Sequence, residues 1–245
     1  MANEFHNRGF LYGDGFFETM RIIDQDIPLW DLHLARAKQS AEYLECEWFS
    51  FKQESVLKNY ILNNQPGGKD IARVDFFRSG GGTYTPESNT LETSCTYRGI
   101  PQRPSAFKFN SLDEVVKTLS PIDVKIYREA IKPITPLSWI KSSSALFYVK
   151  AGLYLKQHEQ VSDLILLNDQ GRVCEALSSN VLIKRHGQWI GVSRAEGPVQ
   201  GVFQRHLQRN LDIQFGTIEM DELYDADKIV LTNAATGVTV ANLSS

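Results

Sequence analysis

The chain has 245 residues, enough for one large domain or two small ones with hydrophobic cores of their own. A net charge of −3 gives no basic footprint for nucleic acid, and no apolar run approaches the ~20 residues that a membrane span requires. Three scattered cysteines without metal-ligand spacing fit a reducing compartment, and residues 1–6 carry no leader pattern. We therefore expect a cytoplasmic protein that binds no metal, no nucleic acid and no membrane.

The first hundred residues predict an α+β arrangement. Residues 20–23 are typical of a strand, and apolar residues recur at helical spacing from Leu34 to Leu44. A second helix is predicted at 56–61. Two strands are predicted at 71–77 and 91–97, joined by a glycine-rich turn at 79–83.

A stretch with two prolines and a glycine at 99–105 is the expected linker, so we predict domains at 1–102 and 103–245. The second domain is expected to be strand-rich, with two main helices. Its predicted strands lie at 122–127, 163–168, 171–176, 179–185 and 228–232, and its predicted helices at 142–158 and 200–211.

Two segments indicate chemistry. Residues 9–21 place three glycines and Asp14 in an aromatic run, which by itself predicts a tight turn that leads into a strand. Lys141 precedes an apolar predicted helix. A lysine in such a place can be desolvated, which lowers its pKa and frees the neutral amine to attack an aldehyde. A solvated lysine at a helix start is the ordinary alternative.

Together with the segments around Arg36 and Glu175, these residues resemble the class IV aminotransferases, which are fold-type IV enzymes that use pyridoxal 5′-phosphate (PLP). The family includes branched-chain aminotransferases, D-amino acid aminotransferases and 4-amino-4-deoxychorismate lyases. The resemblance extends from Gly9 to about Ala241. It implies an α/β (α+β) architecture of two domains, with the cofactor in the cleft between them.

The resemblance also implies the catalytic residues. Lys141 matches the lysine that forms the Schiff base with PLP and then acts as general acid/base, whereas Lys132 and Lys150 fall off the pattern. Glu175 matches the carboxylate that keeps the pyridine nitrogen protonated and so makes the ring an electron sink. Without the resemblance, Glu175 would be interpreted as a surface residue of a strand. The residues after it that match the family and are expected at the cofactor are Ser178, Ser179 and Asn180.

Positive charge and backbone N–H groups are expected around the cofactor's phosphate. Arg36, three residues after a histidine, matches the phosphate-binding arginine of the family, and its planar fork suits a phosphate. The alternative is an arginine on a solvated helix face. Val202 and Phe203 open a predicted helix, whose N-terminus offers free N–H groups and the positive end of a dipole. Asn233 and Ala234 resemble the third phosphate-side loop.

The expected substrate residues come from the first half of the chain. Residues 78–86 resemble the arginine, glycine-rich and tyrosine run of aminodeoxychorismate lyases, with a long hairpin turn as the alternative. We expect Arg78 and Arg21 to meet a substrate carboxylate, and Tyr12 to reach the substrate face. Leu146 stands where branched-chain enzymes carry a tyrosine, five residues after the Schiff-base lysine.

The sequence therefore predicts a PLP-dependent class IV aminotransferase that acts on an amino acid or amino-carboxylate through a Schiff base on Lys141. One alternative is a 4-amino-4-deoxychorismate lyase, which gives 4-aminobenzoate and pyruvate by β-elimination. A second alternative is a non-catalytic relative that acts as a binding protein, because only eight residues precede Gly9 where the family usually begins with a further strand. The expected partners are a small-molecule substrate and a second copy of the chain in a homodimer.

Overall fold

The computed structural model describes residues 7–244, and these residues divide into two compact units. Unit 1 contains the described residues up to Ile100 together with residues 140–144. Unit 2 contains residues 101–139 and the described residues from Ala145 onward. Residues 1–6, whose sequence shows no leader pattern, lie outside the described residues.

Unit 1 contains a three-stranded antiparallel sheet in the order β1-β2-β3. Its elements are α1 (Arg8–Tyr12), β1 (Gly15–Arg21), α2 (Trp30–Tyr43), α3 (Phe51–Asn63), β2 (Ile71–Arg78) and β3 (Leu91–Arg98). Phe16 on β1 pairs with Phe76 on β2, and the two buried rings stack with their centroids 5.0 Å apart. Period-2 burial along β1 and β2 leaves one face of the sheet as the core of this unit. The two predicted helices and the strands predicted at 71–77 and 91–97 are confirmed, whereas the strand predicted at 20–23 lies earlier, at Gly15–Arg21.

The predicted tight turn at the start of the chain is a short helix, α1. The side chain of Asn7 caps it by accepting the N–H of Phe10 at 2.7 Å. Gly13 ends it with a φ of 64°, in the left-handed region. A Cβ at this position would lie 2.3 Å from Oγ of Ser144, so both the backbone conformation and the available space require glycine.

Segment 140–144 differs from its predicted assignment. The sequence places Lys141 in the C-terminal domain, whereas the structure groups it with unit 1. Backbone hydrogen bonds to β1 explain the difference: the N–H of Phe17 donates to the carbonyl of Lys141 at 2.9 Å, and the N–H of Ser143 donates to the carbonyl of Gly15 at 3.0 Å. These bonds join residues far apart in sequence, so local patterns cannot show them.

Unit 2 contains an eight-stranded mixed sheet in the order β6-β5-β4-β11-β10-β7-β8-β9. The neighbours β4–β5, β4–β11 and β8–β9 run parallel. Residues from several strands, among them Ile126, Ile165, Val181 and Leu231, form one buried cluster. The elements of unit 2 are α4 (Leu112–Thr118), β4 (Ile122–Lys132), α5 (Leu146–Lys156), β5 (Asp163–Asn168), β6 (Val173–Ala176), β7 (Asn180–Arg185), β8 (Gln188–Val192), α6 (Val202–Asn210), β9 (Ile213–Gly216), β10 (Lys228–Asn233) and β11 (Gly237–Leu243).

Helix α5 differs from its prediction in length and burial. The sequence predicts a mostly buried helix over 142–158, but α5 begins at Leu146, because Ser143 is hydrogen-bonded to β1. Leu146, Val149 and Leu153 are exposed, and the opposite side of α5 packs against the buried ring of Tyr127. Within residues 7–244, no helix combines the length and apolarity needed to span a bilayer.

Candidate active site

Lys141 lies beside β1 and not at a helix start, so the interpretation as a solvated lysine at a helix N-terminus is wrong. Its carbonyl accepts the N–H of Phe17 at 2.9 Å, and Phe16 forms an isolated antiparallel bridge with Ser142. Nζ of Lys141 lies 4.6 Å from the centroid of the Phe17 ring, within the range of a cation–π interaction. The backbone pairing and the ring together fix where the partly buried amine can lie.

Arg36 belongs to a buried group of three side chains, Glu18, His33 and Arg36, which we call the Glu18 cluster. Nε of Arg36 donates to Oε1 of Glu18 at 2.7 Å, and Nη2 donates to Oε2 at 2.5 Å. Nδ1 of His33 lies 2.6 Å from the same Oε2. Arg36 is only 4% exposed, so the alternative of an arginine on a solvated helix face is wrong.

Interactions within the Glu18 cluster determine the charges of Glu18 and His33. Burial would raise the pKa of Glu18, but the charge of Arg36 and the hydrogen bond from His33 outweigh it and lower that pKa to about 2. Burial lowers the pKa of His33, against the opposing effect of Glu18, and the charge of Lys141 contributes in the same direction as burial. His33 is therefore neutral near pH 7 and donates from Nδ1 to Glu18. Its Nε2 is buried and makes no hydrogen bond within the described part of the chain.

Arg78 is buried and has several partners inside unit 1. Its guanidinium donates to the carboxylate of Asp14, with a shortest contact of 3.1 Å, to Oδ1 of Asn89 at 2.6 Å and to the carbonyl of Leu44 at 2.5 Å. Arg8 binds the same carboxylate at 2.8 Å. A contact between Arg78 and a substrate carboxylate would compete with these bonds, and its substrate role stays a prediction.

The other two expected substrate residues also lie in unit 1. Tyr12 is partly exposed at the end of α1, with its ring centroid 5.8 Å from that of Tyr84 and 5.0 Å from the guanidinium of Arg8. Arg21 ends β1, where burial lowers its pKa and Asp70 acts in the opposite direction. The substrate roles of Tyr12 and Arg21 stay predictions.

Glu175 is the centre of a second buried group, formed with Lys132, Tyr148 and the backbone of Val199, which we call the Glu175 cluster. Tyr148 donates its hydroxyl to Oε1 of Glu175 at 2.6 Å, and the Lys132 ammonium donates to the same oxygen. The N–H of Val199 donates to Oε2 at 3.0 Å. Glu175 is 3% exposed, so its interpretation as a surface strand residue is wrong.

Sequence reasoning did not find Lys132 and Tyr148 as partners of Glu175. The pairing of β4 with β5 shifts register between Tyr127 and Lys132. This irregularity breaks the period-2 pattern from which the buried face of a strand is predicted. Tyr148 lies on the inner side of α5. The outer side of this helix is also apolar, so the sequence shows no clear recurrence of apolar residues at helical spacing. Because β4 carries four other charged residues, Asp123, Lys125, Arg128 and Glu129, a lysine at its end gave no distinguishing signal.

Three segments predicted to lie at the cofactor are connected by hydrogen bonds in unit 2. Asn180, the first residue of β7, donates to the carbonyl of Val199 at 2.8 Å. A Cβ at Gly201 would lie 1.8 Å from Oδ1 of Asn180, so glycine is required where this side chain crosses the chain. Asn233 donates to Oγ of Ser179 at 2.9 Å.

The start of α6 fits an anion. Gly201 is its N-cap, no side chain caps it, and its first turn carries no acidic residue. Val202 and Phe203 are buried and have apolar side chains, so their backbone N–H groups are the donors that they could offer to a ligand. Ala234 is half-buried after β10, and Ser178 is exposed. The cofactor contacts of these residues stay predictions.

These side chains fit PLP. A partly buried lysine amine suits its aldehyde, and an arginine and an uncapped helix start suit its phosphate. A buried carboxylate suits its ring nitrogen. An ionised carboxylate has about four acceptor positions. Glu175 uses three of them, for Lys132, Tyr148 and Val199, so one is left for a ring N–H. The described residues contain no His, Cys, Asp and Glu group that could hold a metal ion.

The chemistry of these residues fits a PLP-dependent enzyme, and comparison with known proteins names the family. The sequence profile of the family described as amino-transferase class IV matches residues 15–242, so the chain belongs to that family. An aminodeoxychorismate lyase of Bacillus subtilis is 26% identical over 243 residues, covering 93% of this chain and 76% of the relative. A D-alanine aminotransferase of Bacillus licheniformis is 24% identical over 254 residues, covering 97% and 81%.

The fold is shared with solved structures. A 4-amino-4-deoxychorismate lyase from Pseudomonas aeruginosa superposes with a TM-score of 0.79 at 20% identity, covering 99% of this chain and 87% of that one. The branched-chain amino acid aminotransferase from Escherichia coli gives a TM-score of 0.76 at 14% identity, covering 97% and 79%. Lyases and aminotransferases therefore share this architecture, and the fold alone does not separate the two activities.

Proposed function

We propose that the chain is a PLP-dependent lyase that releases pyruvate from 4-amino-4-deoxychorismate and leaves 4-aminobenzoate. Lys141 would bind the cofactor covalently through Nζ. Arg36 and the N–H groups at the start of α6 would hold the phosphate, and Glu175 would accept a hydrogen bond from the protonated ring nitrogen. When bound, PLP supplies a ring that withdraws electrons from the substrate carbon that carries the amine.

Lys141 is the proposed proton carrier. Once the substrate's amine has displaced it, its free amine would take the proton from the carbon that bears that amine. The hydrogen bond from Phe17 to the Lys141 carbonyl supports this role, because it holds the backbone still while the side chain moves. Loss of the ether-linked enolpyruvyl group from the neighbouring carbon then completes the elimination. The released group ends as pyruvate, and the ring that remains is aromatic.

The observation that carries the choice of elimination over branched-chain transamination is at position 146. Leu146 is 80% exposed and has no hydroxyl, so it cannot replace the tyrosine that branched-chain members place there. The lyase relative of Bacillus subtilis also supports the choice, with its 26% identity across most of this chain. Both reactions begin with the same proton abstraction, so the residues that hold the cofactor are equally required for either.

The test is a direct comparison of substrates. The purified protein with PLP is supplied with aminodeoxychorismate, and the release of pyruvate and 4-aminobenzoate is measured. Leucine, isoleucine, valine and D-alanine are each tested in parallel with 2-oxoglutarate. We expect pyruvate in the first reaction, little transamination in the others, and no activity in a Lys141→Ala variant. Brisk transamination without pyruvate release would assign the chain to the aminotransferases instead.

A further inference from the structure

Lys132 is a buried lysine that the proposed reaction leaves without a role. It is 7% exposed at the end of β4, and its ammonium is bound to Oε1 of Glu175. Tyr148 donates to that same oxygen at 2.6 Å, and its ring centroid lies 5.6 Å from Nζ of Lys132. Lysines are almost never fully buried unless they are paired. Here the partner is the carboxylate that we assign to the cofactor's ring nitrogen.

The fold brings this pair together across one strand. The order β6-β5-β4 places β5 between the strands of Glu175 and Lys132. On β5, Leu166 pairs with Glu175 and Asn168 pairs with Lys132. Lys132 is buried whereas its neighbour Ile131 is 55% exposed, because adjacent residues of a strand point to opposite faces of the sheet. The buried position of Lys132 is therefore built into the strand and does not depend on a flexible loop.

The remaining groups around Glu175 carry no balancing charge. Burial, reinforced by the nearby Glu175, raises the pKa of the Tyr148 hydroxyl on α5. Burial and Glu175 likewise raise the pKa of Cys174, the neighbour of Glu175 on β6, against a smaller opposing effect of Lys132. Tyr148 and Cys174 are therefore neutral near pH 7. The N–H of Val199 is a neutral donor as well, so the positive charge in the Glu175 cluster is that of Lys132.

We propose that Lys132 is a positioning residue that shares Glu175 with the cofactor's ring nitrogen and thereby limits how tightly that nitrogen holds its proton. The proposal rests on the proposed role of Glu175. A carboxylate that already neutralises one cation attracts a second cation less strongly, and the two cations repel each other. With Lys132 in place, Glu175 stays oriented, while the ring nitrogen loses its proton more readily than beside an isolated carboxylate.

The test measures the ring nitrogen itself. PLP labelled with ¹⁵N in the ring is bound to the protein, and the ¹⁵N chemical shift is followed by NMR as a function of pH. Lys132→Met should raise the proton affinity of the ring nitrogen by about tenfold or more, the size expected when a charge next to a titrating group is removed. Lys132→Arg keeps the charge and should titrate like the wild type. Lys150→Met, the same change at an exposed lysine of α5, is the matched control and should have no effect.

The outcomes distinguish Lys132 from the rest of the site. A Lys132→Met titration identical to that of Lys150→Met overturns the proposal, provided that Glu175→Gln does change the titration. If PLP does not bind at Lys141, the proposed function itself is refuted. Borohydride reduction detects this outcome independently of the titration. Lys132→Gln, which keeps a hydrogen-bond donor but loses the charge, supplies the same comparison if the methionine variant does not fold.

Discussion

Two of the buried carboxylates among the described residues, Glu18 and Glu175, have different kinds of cationic partner. Glu18 in unit 1 is held by the two-pronged guanidinium of Arg36, whereas Glu175 in unit 2 is bound at one oxygen by the ammonium of Lys132. A guanidinium stays charged and fixes its partner in two places, while an ammonium is a compact point charge on a flexible stem. The Glu18 cluster is therefore suited to permanent orientation of Arg36, and the Glu175 cluster to sharing its carboxylate with a ligand.

Removing the unit 1 carboxylate gives the largest expected effect on stability. Glu18→Gln leaves Arg36 buried without its counter-charge, and breaking one side of a buried ion pair costs about 3–5 kcal/mol. The free energy of unfolding, measured by denaturant titration, should fall by this amount. Glu42→Gln, at an exposed glutamate of α2, is the control and should change it little. Equal effects of the two variants would show that the Glu18 cluster contributes no special stability.

The corresponding change in unit 2 is expected to affect catalysis more than folding. Glu175→Gln cannot keep the ring nitrogen protonated, so turnover should fall by about 10²-fold or more, the usual cost of losing one group that stabilises developing charge. PLP should still bind, as seen from its visible absorption. Glu159→Gln, at an exposed site, is the control. Undiminished turnover in Glu175→Gln would refute the assigned role.

Acid should weaken unit 1 through Glu18. The pKa of Glu18 falls from its ordinary 4.5 to about 2 on folding, and one pKa unit is worth about 1.4 kcal/mol. Since the folded state has the lower pKa, this stabilisation is present above pH ~4.5 and is lost as the pH falls towards 2. It amounts to on the order of 3 kcal/mol. The slope of unfolding free energy against pH should be flatter in Glu18→Gln over this range, and an unchanged slope would contradict the assignment.

Arg36 tests whether the Glu18 cluster also serves the cofactor. Arg36→Gln should weaken PLP binding by about 1.5–3 kcal/mol, the range for a hydrogen bond to a charged group. Pyridoxal, which lacks the phosphate, should lose much less affinity, so that comparison separates phosphate binding from damage to the fold. Lys38→Gln, an exposed change on the same helix, is the control. Equal losses for PLP and pyridoxal would show that Arg36 only supports the structure.

The two clusters also differ in how far sequence could predict them. Local periodicity predicts the helix that carries Arg36, but the choice of Arg36 came from the resemblance to the family, and its burial against Glu18 was not predicted. Lys132 could not be inferred from periodicity, because the register shift in β4 removes the period-2 signal just before it. Lys141 was found by its resemblance to the family. Its backbone pairing with β1 was not found, because hydrogen bonds between distant segments leave no local pattern.

The most direct test of this account is the identity of the lysine that binds the cofactor. The purified protein with PLP should be yellow, and borohydride reduction followed by peptide mapping should find the cofactor on Lys141. Lys132 serves as an internal control, because its ammonium is bound to Glu175, and Lys150 is a second one at the surface. An adduct on Lys132 or Lys150, or none at all with PLP in excess, would contradict the account.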